Sequence, residues 1–127
     1  MSRLEIVLHL VILPYVQMYK VMKEREKLLY EAKAKVLKAL AHPTRLWMAE
    51  QLADGERCVC EFVDQVDADF STISKHLSVL KQAGIVADEK RGKQVYYHLK
   101  VPCVLKFMSC VEAVIETQIK AQSTLLK

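Results

Sequence analysis

Between Tyr15 and about Leu40 the chain carries Met18, Met22, Leu29, Val36 and Leu40 at near-helical spacing among many charged residues, with no glycine or proline. Apolar side chains at that spacing share one face of a 3.6-residue helix, so the stretch predicts one long amphipathic helix. Upstream, Ile6 to Leu13 is a short apolar run, and Pro14 is expected to interrupt any helix it begins, because proline lacks an N–H and crowds the preceding turn. His42-Pro43 ends the long helix. Pro43 then suits the first turn of a second helix that runs to Ala53, with Asp54-Gly55 as its stop.

The pattern then shortens. About Cys60 to Val66 reads as a short helix bearing Phe62, Val63 and Val66, followed by the link Asp67-Ala68-Asp69-Phe70. Ser71 is the expected N-cap of a helix from Thr72 to about Ala83, closed by Gly84. Ile73, Leu77 and Leu80 form one face of it, while Thr72, Lys75, His76, Val79 and Gln82 lie elsewhere. Two short helices joined by a tight link make a helix-turn-helix. Ile85 to Lys90 and Gln94 to Leu99 predict two strands around Arg91-Gly92-Lys93, with Val95, Tyr97 and Leu99 alternating against polar or aromatic neighbours. A hairpin directly after a helix-turn-helix is a wing. Pro102 opens a C-terminal helix whose Val104, Phe107, Met108, Val111, Val114, Ile115 and Ile119 form a broad apolar stripe. First and last helices this apolar exceed what one small domain needs, and homodimerisation through them is the economical expectation. The fold class is therefore mostly α with a small β-hairpin: a winged helix-turn-helix dimerised through its N- and C-terminal helices.

Length and charge narrow this further. The 127 residues suit one compact domain, taken as residues 18–127; residues 1–17 are set apart as an N-terminal extension, Met18 and Met22 being alternative starts. Arg3 and Glu5 flank the apolar run and no small-residue cleavage site follows it, so neither a signal peptide nor a membrane span is expected, and the location is taken as cytoplasmic. The net charge of +4 is modest but unevenly spread. Lys75, Lys81, Lys90, Arg91, Lys93 and Lys100 crowd the second half of the motif, whereas Asp54, Glu56, Glu61, Asp64, Asp67 and Asp69 precede it. A basic second helix and wing tip suit phosphates, and the helix start suits base edges in a major groove. Backbone N–H groups at that helix start are expected to add a phosphate site. The candidate DNA contacts are Ser71, Thr72, Ser74, Lys75, His76, Ser78, Lys81, Arg91 and Lys93. No phosphate-cradling loop around a cysteine and no C-x-x-C motif is present, which argues against a thiol enzyme and leaves a protein–protein adaptor as the non-DNA alternative.

The runs LKALAHPTRLWMAEQLADGERCVCEF, STISKHLSVLKQAGIV and RGKQVYYHL, in that order, resemble the ArsR/SmtB family of winged-helix repressors over about Val36 to Leu99. The resemblance implies a homodimer on double-stranded operator DNA that needs no cofactor to bind and leaves when an inducer arrives. In its metal-responsive branch, cysteines at the start of the helix before the recognition helix are ligands, and Cys58 and Cys60 occupy that place. A second, C-terminal-helix site used in that branch is not matched: Val101, Pro102, Val114 and Thr117 stand where acidic and histidine ligands are expected.

What remains is sulfur. Soft thiolates select soft ions, and trivalent arsenic or antimony is satisfied by three of them. In a reducing compartment the four cysteines suggest free thiols or ligands. Side chains two apart on a regular helix point about 200° apart, so Cys58 and Cys60 can share one ion only if the first turn is irregular. Cys103 is the expected third ligand, with the partner protomer as one source, and Cys110 is read as core. Arsenite or antimonite is therefore the expected inducer. The alternatives are cadmium or lead, and a redox or persulfide signal carried by a disulfide, for which Cys60–Cys103 is favoured because an i, i+2 link is strained.

Overall fold

A computed structural model describes residues 2–126, and the chain divides into two compact units, Met1–Lys38 and Ala39–Lys127. In the first unit, helix α1 (Arg3–Val7) opens on a capping box: the Glu5 N–H donates to Ser2 Oγ and the Ser2 N–H to Glu5 Oε2, each at 3.3 Å. A π turn (Leu8–Ile12) follows, the Leu13 N–H reaching back to the Leu8 carbonyl, and helix α2 (Leu13–Leu40) continues without a break. Pro14 therefore does not interrupt the helix. A proline lacks the N–H for a bond four residues back and crowds that carbonyl, and the wider π turn just ahead of it relaxes the register where the crowding would fall. The helical run Arg3–Leu40 contains an 18-residue window of mean hydropathy 1.4, long and apolar enough by length and composition to cross a membrane. The expectation of a run too short to span counted only the uninterrupted residues 6–13.

The second unit holds the core. His42, extended at φ −144° and ψ 130°, is the N-cap of helix α3 (Pro43–Ala53), its Nδ1 accepting from the Thr44 N–H at 3.2 Å. Arg45 Nε donates to the Ala39 carbonyl at 2.6 Å, fastening the end of α2 to the start of α3. Helices α4 (Val59–Gln65) and α5 (Phe70–Gln82) form the helix-turn-helix. Phe62, Met48, Ile73, Leu77, Leu80 and Val86 are the largest fully buried side chains, drawn from α3, α4, α5 and the wing.

The wing is larger than a hairpin. A two-residue strand, β1 (Arg57–Cys58), precedes α4, and strands β2 (Val86–Arg91) and β3 (Gln94–Leu99) follow α5. Strands β2 and β3 pair antiparallel, with Val86 opposite Leu99 and Arg91 opposite Gln94. Gly92, at φ +64°, makes the turn that a side chain would strain. Strand β1 joins the free edge of β3, giving the order β1-β3-β2 with Arg57 opposite Tyr97 and Cys58 opposite Tyr96. Two residues are too few to show an alternating pattern, so nothing local in the chain marks this third strand.

Past the wing, Pro102–Leu105 is a 3-10 turn, and the C-terminal helix α6 (Met108–Leu125) begins only after it. Cys103 and Cys110 thus do not share one helix. Val111, Val114, Ile115 and Ile119 are exposed on the single chain, as is Cys110, which is not a core residue here.

Candidate functional site

The recognition-type helix α5 starts at Phe70, earlier than its sequence suggests, with Asp69 rather than Ser71 as N-cap: Asp69 Oδ1 accepts from the Thr72 N–H at 2.8 Å. Either residue type caps well, but Asp69 has the extended backbone a cap requires, and its carboxylate also complements the helix dipole. The bonds from Thr72 hold that carboxyl below its ordinary range. One of the leading N–H groups of the helix is therefore already satisfied by an anion of the chain's own.

Ser71, Thr72, Lys75 and Ser78 are exposed along α5, and Ser74 and His76 are half-buried on the same helix. Lys93 is exposed at the wing turn. Lys75 and Lys93 take part in no ion pair among the described residues. Two other expected phosphate contacts are engaged. Lys81 Nζ lies 3.0 Å from Asp88 on β2. Arg91 meets Glu56 through both nitrogens at 2.5 and 3.0 Å, meets Glu89 at 2.8 Å, and lies 4.9 Å over the Tyr96 ring. The Arg91 hydrogen bond holds Glu56 below the ordinary carboxylate range.

His76 packs against His42 with ring centroids 4.6 Å apart and the rings tilted by 43°. Burial first, then the nearby His42 and Arg45, hold the His76 imidazole below its ordinary value. The unfolded chain then takes up this proton more readily than the folded one. Stability is full above the ordinary histidine value and falls as pH drops through it. A thermal unfolding midpoint that declines between about pH 7.5 and 5.5 is expected, with the decline reduced in His76→Gln; an equal decline in both proteins would assign it elsewhere.

The thiol pair sits where α4 leaves the sheet. Cys58 is the N-cap of α4, extended at φ −81° and ψ 162°, and Cys60 is in its first turn. Because Cys58 stands outside the helix, the 200° separation of a regular turn does not apply. The two Cα atoms are 5.3 Å apart and the sulfurs are joined. This corrects the preference for a longer Cys60–Cys103 link. Cys58 is buried at 4% exposure and Cys60 is exposed. The Cys58 N–H donates to Glu61 Oε2 at 2.8 Å, fixing the cap, and Arg57 Nε donates to the Gln51 carbonyl at 3.3 Å, tying β1 to α3. Cys103 is a free, exposed thiol, and no group of three metal-ligating side chains forms among the described residues. The expected third ligand is thus not brought to the pair within one chain.

Sequence reasoning missed Glu56 and Tyr96 here. Glu56 lies in an acidic run with no sign of a partner 35 residues away, and Tyr96 reads only as wing packing.

Comparison with known proteins agrees with this geometry. Residues 42–88 match the model of the arsR family of bacterial regulatory proteins. The chain is 42% identical over 71 residues to an uncharacterized helix-turn-helix transcriptional regulator of Methanocaldococcus jannaschii, covering 55% of this chain and 80% of that one. It is 43% identical over 65 residues to an arsenic resistance transcriptional regulator of Pseudomonas putida, covering 50% of this chain and about half (51%) of the relative. Its fold matches the homodimeric winged helix-turn-helix DNA-binding domain of a possible ArsR-family regulator of Mycobacterium bovis with TM-score 0.65 and 30% identity, over 76% of this chain and 90% of that one. The chain belongs to the ArsR family of DNA-binding transcriptional regulators, and it is not an enzyme family.

Proposed function

We propose that the protein is a cytoplasmic repressor that occupies operator DNA as a homodimer and is released when a thiophilic metalloid, arsenite or antimonite, binds the thiolates of Cys58 and Cys60. One observation carries the reading: Cys58 is at once the N-cap of α4 and the sheet partner of Tyr96 in the wing. A ligand that draws the two sulfurs together acts on both DNA-facing elements, the helix-turn-helix through α4 and the wing through β1–β3. Soft sulfur donors outside any cluster of histidine and carboxylate ligands among the described residues suit such an ion. The likeness to an arsenic resistance regulator supports the same choice. In the dimer, the exposed stripe of α6 is the natural buried surface, and Cys103 of the partner protomer supplies the third thiolate.

On the DNA side, Ser71, Thr72, Ser74, His76 and Ser78 serve base edges and sugar, and Lys75 and Lys93 hold phosphates. Lys81 and Arg91 contribute only if Asp88, Glu56 and Glu89 release them.

The test is a gel shift on the protein's own promoter, challenged in turn with arsenite, antimonite, cadmium, zinc and persulfide. Arsenite or antimonite should free the DNA from the reduced wild-type protein and fail to free it from Cys58→Ser. A response that survives Cys58→Ser would sink the metalloid reading. A second reading, redox release, is favoured by the joined sulfurs of Cys58 and Cys60; it requires persulfide or peroxide to free the DNA in metal-free buffer.

A further inference from the structure

The helical run Arg3–Leu40 changes character along its length. Across residues 4–22 the only charged side chains are Glu5 and Lys20, each within a turn of an end, whereas residues 20–38 carry seven bases and three acids. No part of the apolar window is buried, so it does not serve as a core helix. Leu10 is 73% exposed and Tyr15 68%. The apolar character also goes all the way round. Residues 6–8 and 10–13 are unbroken apolar runs, and four successive residues step through roughly 300° of a helix. A partner helix covers one stripe and leaves the remaining sides in water; a helix apolar on every side calls for a surround.

We propose that residues 4–22 cross a lipid bilayer once and anchor the DNA-reading unit to the cytoplasmic face of the membrane. The inference is independent of the inducer. Nineteen residues at about 1.5 Å each reach about 28 Å, close to a hydrocarbon core of about 30 Å. Pro14 is compatible with this, because the π turn keeps the helix continuous and lets the Leu13 N–H reach the Leu8 carbonyl. His9 is served within the helix as well: its Nδ1 lies 3.1 Å from the Glu5 carbonyl, to which the Nδ1–H tautomer donates. At the other end Tyr19 carries Lys23 Nζ over its ring at 5.0 Å, an aromatic and a cation placed together where headgroups begin. The charge asymmetry sets the direction. Arg3 is the one base ahead of the apolar run, and the seven that follow hold their side in the cytoplasm, against anionic headgroups.

The experiment expresses the full chain in bacterial cells and floats the lysate on a sucrose gradient, which separates membranes from soluble and aggregated protein. The wild-type chain should float at its full mass, stay with the membranes through an alkaline carbonate wash and leave them in detergent. Val11→Lys/Leu13→Lys, with two charges placed in mid-span, should be lost from the floated fraction. Ser2→Cys gives a second reading that needs no disruption of the helix. A membrane-impermeant maleimide applied to intact cells should label that cysteine, whereas the native exposed thiol of Cys103 should react only after the cells are opened. A wild-type chain that stays soluble, as it would if a second copy covered the helix, overturns the proposal, as does a soluble chain shortened at its N-terminus. Flotation without labelling of Ser2→Cys in intact cells would overturn the crossing, and labelling of Cys103 there would overturn the direction.

Discussion

Phe62→Ala is expected to cost about 3–5 kcal/mol of folding stability, the range for removing a fully buried aromatic side chain and leaving its cavity. Phe62 has no exposed surface and is the largest of the fully buried side chains, with the Trp47 ring against its edge. It is also the apolar anchor of a seven-residue helix, far too short to persist without tertiary packing. A small domain has about 5–15 kcal/mol in total, so the variant should sit near its unfolding threshold and lose the geometry of the thiol pair. Urea denaturation of both proteins measures the difference. A change below about 1 kcal/mol would mean that α4 is held by something other than Phe62.

The second large effect concerns DNA. Lys75→Gln/Lys93→Gln should reduce the dependence of log affinity on log salt by about 1.8, near 0.9 for each phosphate no longer neutralised, and weaken binding more than about tenfold at moderate salt. Both cations are unpaired among the described residues and lie on the expected DNA-facing surface, one on α5 and one at the wing turn. Arg91→Gln and Lys81→Gln are expected to change the slope less. Arg91 is gripped by two carboxylates and Lys81 by one, so each must surrender an existing partner before it meets a phosphate. Fluorescence anisotropy on promoter DNA at several salt concentrations reads all of these. A slope change as large in Arg91→Gln as in Lys93→Gln would show that the Glu56 pair opens on DNA.

Much of the architecture is legible in the residue order because its signals are local. Pro43 and Gly55 mark the ends of α3, which runs from Pro43 to Ala53 as expected. The spacing of Ile73, Leu77 and Leu80 announces the buried face of α5, and all three are fully buried. The alternation Val95, Tyr97, Leu99 announces β3. Where the residue order misleads, the deciding interaction is either a choice between two competent residues or a pairing distant along the chain. Asp69 and Ser71 are both good caps, and only the backbone path chooses between them. Pro14 carries a strong breaking signal, which a π turn absorbs.

The amino-acid order alone settled the winged helix-turn-helix, the asymmetry of charge and the placing of two sulfurs at the head of α4. These depend on periodicity, caps and spacing over a few residues, where the chemistry of each side chain acts on its own turn of chain. Tertiary structure alone decided that Arg57–Cys58 becomes a strand against Tyr96 and Tyr97. It likewise bound Arg91 to Glu56 across 35 residues and left Cys103 apart from the sulfur pair. Pairings of that kind are set by which backbone edges and charged groups meet once the core has closed, and no local pattern of residues encodes that meeting.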